Sequence, residues 1–262
     1  MKLSNTASHT IRIGCAGWNV PIHHQKQFGV EGTSLERYAT RLDAVEINSS
    51  FYRPHQPKTY ERWASSVPEH FRFSLKVPKT ITHDQRLVGS SALLDRFLAD
   101  CMHLGNKLGG FLVQLPPSLQ LDARQATTFF RLLRRRLSNE LAIACEPRHA
   151  SWFSEKALAI LERHGVNLVA ADPAPVAGLD SCVLPSNTGA WRYWRLHGSP
   201  RLYYSNYSLE ALACLVNKLL QSAKDADVWV VFDNTAHGHA TENALLLERM
   251  VADQIASVKT RG

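Results

Sequence analysis

The chain has 262 residues, of which 45% are hydrophobic and 20% are charged. This composition supplies enough apolar surface for a folded core and excludes a disordered or low-complexity protein. The formal net charge of +7 is compatible with an anionic partner, although the basic residues are scattered apart from the run 134–136. We interpret this arginine triplet as a solvated helix face, with a nucleic-acid patch as the weaker alternative.

The cysteine pattern and the termini indicate a cytoplasmic protein. Five cysteines form an odd set without a C-x-x-C pair, which argues against a disulfide framework and a zinc knuckle. Residues 1–10 are polar, and we expect them to form a flexible N-terminal segment rather than a signal peptide. Because no run approaches the ~20 apolar residues of a membrane span, we expect no membrane partner. The sequence leaves the oligomeric state open.

Hydrophobic periodicity predicts strands and helices in regular alternation. The predicted strands are 11–18, a segment around Val45, 71–77, 109–115, 141–148, 167–172, 191–198 and 228–234. The predicted helices are 34–42 with Ser34 as its cap, 58–65, 91–104, 122–137 with Asp122 as its cap, 154–164, 209–223 and 240–256. The sixth connection, 173–190, contains three prolines and no sustained periodicity, which predicts an irregular loop.

Eight strands alternating with about seven helices in roughly 250 residues predict an α/β fold, a single (β/α)8 TIM barrel that spans residues 1–262. An open doubly wound sheet is the alternative. The two differ in strand phase, because barrel strands direct alternate side chains towards a central axis and carry active-site groups at their carboxyl ends.

Strand phase predicts a polar cluster inside the barrel. If the bulkier aliphatic residues of each strand face the helices, polar side chains face the axis in the second half of one strand after another. These residues are Glu46, Asn48, Ser74, Lys76, Gln114, Glu146, Arg148, Asp172, Tyr193, Arg195, His197, Asp233 and Asn234. Core packing alone gives no reason to bury so many charges. A mutually neutralising ion-pair network without catalytic function is the alternative.

The residue types suit proton transfer and anion binding. We predict catalytic roles in general acid–base chemistry for Glu46, Lys76, Glu146 and His197. We predict ligand-binding roles for Trp18, Asn48, Tyr52, His83, Gln114, Arg148, His149, Asp172, Arg195 and Asn234, with the arginines contacting a phosphate or carboxylate. A metal would need several of the carboxylates, for which the three neighbouring cations compete, so no metal ligand is assigned. The absence of a Walker loop and of G-x-G-x-x-G gives a nucleotide cofactor no support, and we predict no cofactor.

Motifs along nearly the whole chain resemble those of the YecE-like family, also called domain of unknown function 72. The matching segments are Gly14-Cys15-Ala16-Gly17-Trp18, Val45-Glu46-Ile47-Asn48-Ser49-Ser50-Phe51-Tyr52, Lys76-Val77-Pro78 with Ile81-Thr82-His83, Gln114-Leu115-Pro116-Pro117-Ser118, Glu146-Pro147-Arg148-His149 with Trp152, Asp172, Arg195-Leu196-His197-Gly198 with Tyr203, and Phe232-Asp233-Asn234. The resemblance implies a TIM barrel but no established reaction. The sequence departs from the family pattern at Asp233, where asparagine is common, and at Cys15, where serine or threonine is common.

Three hypotheses for the function follow. The first is an enzyme that acts on a small phosphorylated or carboxylated ligand at the carboxyl-terminal face of the barrel, with Lys76 as an electrophile or a Schiff-base amine. The second is a metal-dependent hydrolase or isomerase. The third is a nucleic-acid-binding or repair-type protein that uses the positive charge and aromatic loops.

Overall fold

In a computed structural model, residues 9–138, 140–176, 185, 186, 188 and 191–260 are described. The strands are β1 Ile11–Ala16, β2 Ala44–Ile47, β3 Arg72–Lys76, β4 Leu108–Gln114, β5 Ala142–Glu146, β6 Val166–Leu168, β7 Ala170–Asp172, β8 Trp191–Leu196 and β9 Asp227–Phe232. The helices are α1 Ser34–Tyr38, α2 Pro57–Ser65, α3 Ser91–Cys101, α4 Ala123–Arg134, α5 Glu155–Arg163, α6 Leu209–Ser222 and α7 His239–Lys259. The predicted alternation is confirmed.

The strands form one parallel sheet in the order β6-β5-β4-β3-β2-β1-β9-β8-β7. β6 pairs with β5 and β7 pairs with β8, and a single residue, Val169, separates the two segments. They therefore occupy one position of an eight-position barrel, which confirms the predicted α/β barrel. Between β6 and β8 the side chain of Asn167 continues the pairing, because its Oδ1 accepts a hydrogen bond from Tyr193 N at 3.1 Å.

The sequence located the element ends to within a few residues, with one different cap. Asp122 caps α4 as predicted, since its Oδ1 accepts bonds from Arg124 N and Gln125 N. The cap of α1 is Thr33 rather than Ser34. The Thr33 hydroxyl accepts a hydrogen bond from Glu36 N, and the Glu36 carboxylate accepts one from Thr33 N. This capping box places the N-cap one residue before the predicted Ser34.

Two expectations fall largely on residues that are not described. Residues 1–8 of the expected flexible segment lie outside the described residues, whereas Thr10 is tied to the barrel by bonds from its N and Oγ1 to Asp227 Oδ1. Residues 177–184, 187, 189 and 190 of the sixth connection also lie outside them; the described residues of that connection belong to neither helix nor strand.

Two hydrophobic layers support the barrel. The outer layer packs the strands against the helices and includes Phe73, Leu75, Phe111 and Val113, as strand phase predicted. The inner layer fills the floor of the barrel with small residues around a stack of three aromatic rings from Trp191, Tyr193 and Trp229. β4 makes room for this stack with a glycine, because a Cβ at Gly109 would lie 2.8 Å from Trp229 Cζ2.

The aromatic floor leaves the carboxyl ends of the strands for polar side chains. In-register pairing places Glu46 beside Ser74 and Gln114 beside Glu146. Within the described residues, no helix combines the length and the apolar character that a bilayer crossing requires.

Candidate functional site

A buried polar cluster at the carboxyl ends of the strands is centred on Arg195 of β8. Its Nε and Nη2 donate to Oε2 and Oε1 of Glu46 at 3.0 and 2.8 Å, and Nη1 donates to Glu146 Oε2 at 3.2 Å. Nη2 also lies 3.0 Å from Asp233 Oδ2. Since the side chain is fully buried and each guanidinium nitrogen is engaged, Arg195 holds three carboxylates in place rather than facing an incoming ligand.

His197 connects two of these carboxylates. Its Nδ1 lies 3.1 Å from Asp233 Oδ2 and its Nε2 lies 2.9 Å from Glu146 Oε1. Arg148 Nη2 approaches the same Nε2 at 2.9 Å and Glu146 Oε1 at 2.5 Å. As an imidazolium the ring donates to both carboxylates, and as a neutral ring protonated at Nδ1 it accepts from Arg148. Both protonation states therefore have partners, which suits a group that exchanges protons.

The cations of the cluster keep Glu146 and Asp233 ionised. Burial alone raises the pKa of Glu146, but the charges of Arg148, His197 and Arg195 outweigh it and hold the pKa well below the usual value. Burial also raises the pKa of Asp233, but Arg195 and the hydrogen bond from His197 bring it below its usual value. The cluster thus depends on compensation between opposite charges.

Tyr193 and Ser74 extend the cluster towards the floor. Tyr193 Oη lies 3.1 Å from Glu46 Oε2 and 2.9 Å from Ser74 Oγ. Burial, and then the charge of Glu46, raises the pKa of Tyr193 well above its usual value. The hydroxyl therefore stays protonated and donates to the carboxylate.

Lys76 differs from the other cations of the cluster. Its Nζ lies 4.1 Å from the centroid of the Phe51 ring and forms no hydrogen bond or ion pair with a described residue. The residue is 5% exposed. Burial, and then the charge of Arg195, lowers the pKa of Lys76 to about 8, and the attraction of Glu46 and the other carboxylates only partly opposes this. Roughly a tenth of the amine is therefore neutral at pH 7, far more than for an ordinary lysine.

His83 lies beside Lys76 in a π-helical turn, Thr80–Asp84, a conformation common at functional sites. Its ring meets the Phe51 ring edge-on at 5.0 Å, and its Nδ1 lies 2.9 Å from Thr82 Oγ1. Burial, and then the charges of Lys76 and Lys79, lowers the pKa of His83. The ring is therefore neutral at neutral pH and offers an anion a hydrogen bond rather than a charge.

Three of the predicted ligand-binding residues lie outside the cluster. The expectation that Asp172 faces the axis does not hold, because Val169 and Ala171 are the inward residues of that strand position and the Asp172 carboxylate accepts a bond from Tyr207 Oη at 2.7 Å. His149 caps the turn 150–153 by accepting from Ser151 N. Asn234 donates to Ser205 O and Asn243 Oδ1.

Three others lie around the barrel mouth. Trp18 and Asn48 line an open cavity of about 770 Å³ between the loops that follow β1, β2 and β9. Tyr52 is 73% exposed, and its ring forms a T-shaped contact with Phe51 at a centroid distance of 4.9 Å. Gln114, by contrast, joins the cluster, with its Nε2 3.4 Å from Glu146 Oε1.

The structure therefore brings together Glu46, Gln114, Glu146, Arg148, Arg195 and His197, with Lys76 and His83 beside them. Asp233 was not chosen as a site residue, although it contacts both Arg195 and His197. The signal was present in the sequence, because Trp229, Val231 and Asp233 share the inward phase of β9. Tyr193 and Ser74 were also recognised as inward-facing but were not selected.

The metal and nucleic-acid hypotheses remain predictions. Among the described residues, no group of three or more His, Cys, Asp or Glu is arranged to hold a metal ion. Within the arginine triplet, Arg134 donates to backbone carbonyls of His164, Leu141 and Gly165, and Arg136 pairs with Asp95. Two members of the triplet are thus committed to contacts within the protein.

The fold and the cluster define a parallel α/β barrel with buried charges at the carboxyl-terminal face. The model of the family described as "Protein of unknown function DUF72" matches residues 12–261. The chain belongs to this family, which confirms the resemblance drawn from its motifs.

Curated relatives carry names without an activity. The chain is 32% identical to UPF0759 protein YecE of Escherichia coli K12 over 171 residues, 63% of this chain and 60% of that protein. The match thus spans three-fifths of the relative's length. It is 27% identical to UPF0759 protein YunF of Bacillus subtilis over 266 residues, 89% of this chain and 92% of the relative.

Solved structures of the family show the same fold. A DUF72 family protein from Enterococcus faecalis superposes with a TM-score of 0.77 at 23% identity, covering 92% of this chain and 95% of the other. A DUF72 family protein from Thermotoga maritima gives a TM-score of 0.77 at 23% identity, covering 93% and 99%.

Proposed function

We propose that this protein is an enzyme that binds a small anionic ligand at the carboxyl-terminal mouth of its barrel and acts on it by general acid–base chemistry. The observation that carries the proposal is that two buried cations, Arg148 and Lys76, have hydrogen-bond donors left unused by the described residues. Both are largely buried at the mouth, and both retain N–H groups to which no described residue offers an acceptor.

The donor groups of Arg148 support the anion-binding part of the proposal. Among the described residues, only its Nη2 has hydrogen-bond partners, and its buried Nε has none. Its side chain is 15% exposed, in contrast to the fully buried Arg195. A phosphate or carboxylate could accept from the remaining guanidinium edge, a geometry that arginine favours for such anions.

The pairing of charges also supports an anionic ligand. Glu46, Glu146 and Asp233 are engaged by direct contacts with Arg195, Arg148 and His197. Among the described residues, no carboxylate bonds directly to Lys76. Because an uncompensated buried charge is costly, a ligand with negative charge would stabilise the site.

The contacts of His197 support the acid–base part of the proposal. Its ring lies between two carboxylates and one guanidinium, so that a proton can be held or released with a partner present in each state. Proton transfer by a positioned side chain typically contributes about 10²- to 10⁴-fold to a rate.

A thermal-unfolding screen tests the anion site. Inorganic phosphate and malate, compared with chloride at equal ionic strength, should raise the Tm of the wild-type protein. Arg148→Met should abolish this rise. Arg12→Met is the matched control, because Arg12 is also buried but contacts His70 O and Asp43 near the start of β1. Absence of any anion-dependent rise, or an equal rise in Arg148→Met, would refute the proposal.

A further inference from the structure

Building on the proposed anion site, we propose that Lys76 forms a Schiff base with the carbonyl group of that anionic ligand, and that His83 exchanges protons with the lysine amine. The substrate class would then be a small carbonyl compound carrying a carboxylate or phosphate.

The first support is the lack of a partner for the amine. Lys76 ends β3 on the inward face, yet its Nζ bonds with no described residue and rests against the Phe51 ring. The buried Lys107 offers a contrast within the same fold, because its Nζ donates to Pro68 O at 2.6 Å and pairs with Glu69 at 3.0 Å. Lys107 is fixed as a structural cation, whereas the Lys76 amine is left for chemistry.

The second support is the engagement of the neighbouring carboxylates. Glu46 is held bidentately by Arg195, and Glu146 is contacted by Arg148, Arg195 and His197. These bonds keep the carboxylates from capturing the lysine as an ion pair. Burial next to Arg195 instead favours the neutral amine, which is the nucleophilic form.

The third support is the position of His83. Lys76 Nζ lies over the face of Phe51, and the His83 ring meets the same aromatic ring edge-on. One histidine nitrogen contacts Thr82 Oγ1, and the other is left without a contact in the described residues. A neutral imidazole in this place is suited to accept a proton from the lysine ammonium and to return one later.

The reaction balances without a further reagent. The Nζ lone pair attacks the carbonyl carbon, the carbonyl oxygen takes up a proton, and the nitrogen loses one, which gives a carbinolamine. Protonation of the hydroxyl then allows water to leave as the C=N bond forms. One amine and one carbonyl compound give one imine and one water, while Arg148 holds the anionic group of the substrate.

Reductive trapping tests this inference. The full-length protein is incubated at pH 7 with glyoxylate and sodium cyanoborohydride, and carboxymethylated lysines are located by peptide mass spectrometry. A pKa of about 8 leaves roughly 300-fold more neutral amine at pH 7 than an ordinary lysine has. Despite its burial, Lys76 should therefore be labelled at least tenfold faster than the exposed Lys79, and inorganic phosphate should slow only the Lys76 label.

Two variants test the roles of Lys76 and His83. Lys76→Met should remove the label while the protein stays folded by thermal unfolding. His83→Asn should slow Lys76 labelling several-fold at pH 7, with the deficit shrinking above pH 8, where the amine is already neutral. If His83→Asn labels at the wild-type rate across this range, the role of His83 is refuted.

The experiment separates the two proposals. If Lys76 is labelled no faster than Lys79 while phosphate still raises the Tm through Arg148, the Schiff base is refuted and the anion site stands. If phosphate neither raises the Tm nor protects Lys76, the anion site itself is refuted, and with it the substrate class proposed here.

Discussion

Arg195 and Lys76 show how two cations in the same barrel acquire opposite properties. Burial disfavours both charges, but Arg195 bonds three carboxylates and its pKa stays well above the usual value. Lys76 has no such bonds with the part of the chain that the structure describes, and its pKa falls to about 8. Direct contact with a carboxylate, rather than proximity to negative charge, decides which cation stays protonated and which can lose its proton.

Replacing Arg195 should lower the free energy of unfolding far more than replacing a surface arginine does. Arg195→Met leaves Glu46 and Asp233 buried without their compensating charge, so we expect the free energy of unfolding at pH 7 to fall by about 3–5 kcal/mol in urea titrations. Arg136→Met, which breaks a surface pair with Asp95, should cost less than about 1 kcal/mol. Equal losses would mean that the cluster does not stabilise the fold as described.

Replacing Lys76 should have the opposite effect. The folded-state pKa of about 8 lies below the value of 10.5 for a free lysine, so the protonated amine destabilises the folded state. Lys76→Met should therefore raise the free energy of unfolding by about 3 kcal/mol at pH 7. The destabilisation by the protonated amine is complete below pH 8 and decreases as the pH rises towards 10.5. The stability difference between Lys76→Met and the wild-type protein should therefore vanish near pH 10.5. A destabilised Lys76→Met protein at pH 7 would contradict this account.

At the scale of elements, the sixth barrel position is the most irregular part of the fold. It is split into β6 and β7, and the side chain of Asn167 supplies the acceptor for Tyr193 N where the β6 backbone pairs on its other side with β5. The same side chain donates from Nδ2 to Ser186 O at 2.6 Å. A single amide thus links three segments of the chain.

Asn167→Ala should open this link. Tyr193 N would be left buried without an acceptor, which costs about 1–3 kcal/mol. Chemical denaturation should show this loss, and amide hydrogen exchange should accelerate at Tyr193. Asn106→Ala is a suitable control, because the Asn106 side chain donates to Glu69 at the surface. An unchanged exchange rate at Tyr193 would refute the bridging role.

At the scale of the whole molecule, the sequence predicted the architecture better than the site. Period-two strands and capped helices determine the barrel, because each element must bury one face regardless of its distant neighbours. Which polar residues meet depends on phase and register. Asp172 was misplaced because it was assigned from its position at the end of the strand. Leu168 and Ala170 face the helices and Val169 and Ala171 face the axis, so the same alternation sets Asp172 outward.

The electrostatic behaviour was also hidden from the sequence. The sequence predicts the same inward orientation for Lys76, Arg148 and Arg195. Among the described residues, Lys76 has no bonded carboxylate, Arg148 lies at the rim of the cluster, and Arg195 has a partner for each guanidinium nitrogen. His83 was predicted to bind an anion, and burial together with two nearby lysines lowers its pKa, which favours the neutral ring. These differences arise from contacts between strands far apart in sequence.

The whole fold should lose stability in acid because of its ionised carboxylates. Glu146 and Asp233 have pKa values below their ordinary 4.5 and 3.8, so their stabilising effect is complete above those values and is lost as the pH falls through the folded-state pKa. Unfolding free energies should therefore decline below about pH 4.5, and Glu146→Gln should decline less steeply. Parallel curves for the two proteins would argue against Glu146 as a source of the acid sensitivity.

The aromatic floor gives the barrel an optical signature of its own. The rings of Trp191 and Trp229 lie 4.8 Å apart and Tyr193 stacks on Trp229, all of them buried. Rings held this closely couple their electronic transitions, so far-ultraviolet circular dichroism should show an exciton couplet from the indole rings that requires intact packing. Because this chromophore lies beneath the charged cluster, it would report the integrity of the fold while the ligand-binding mouth is titrated separately.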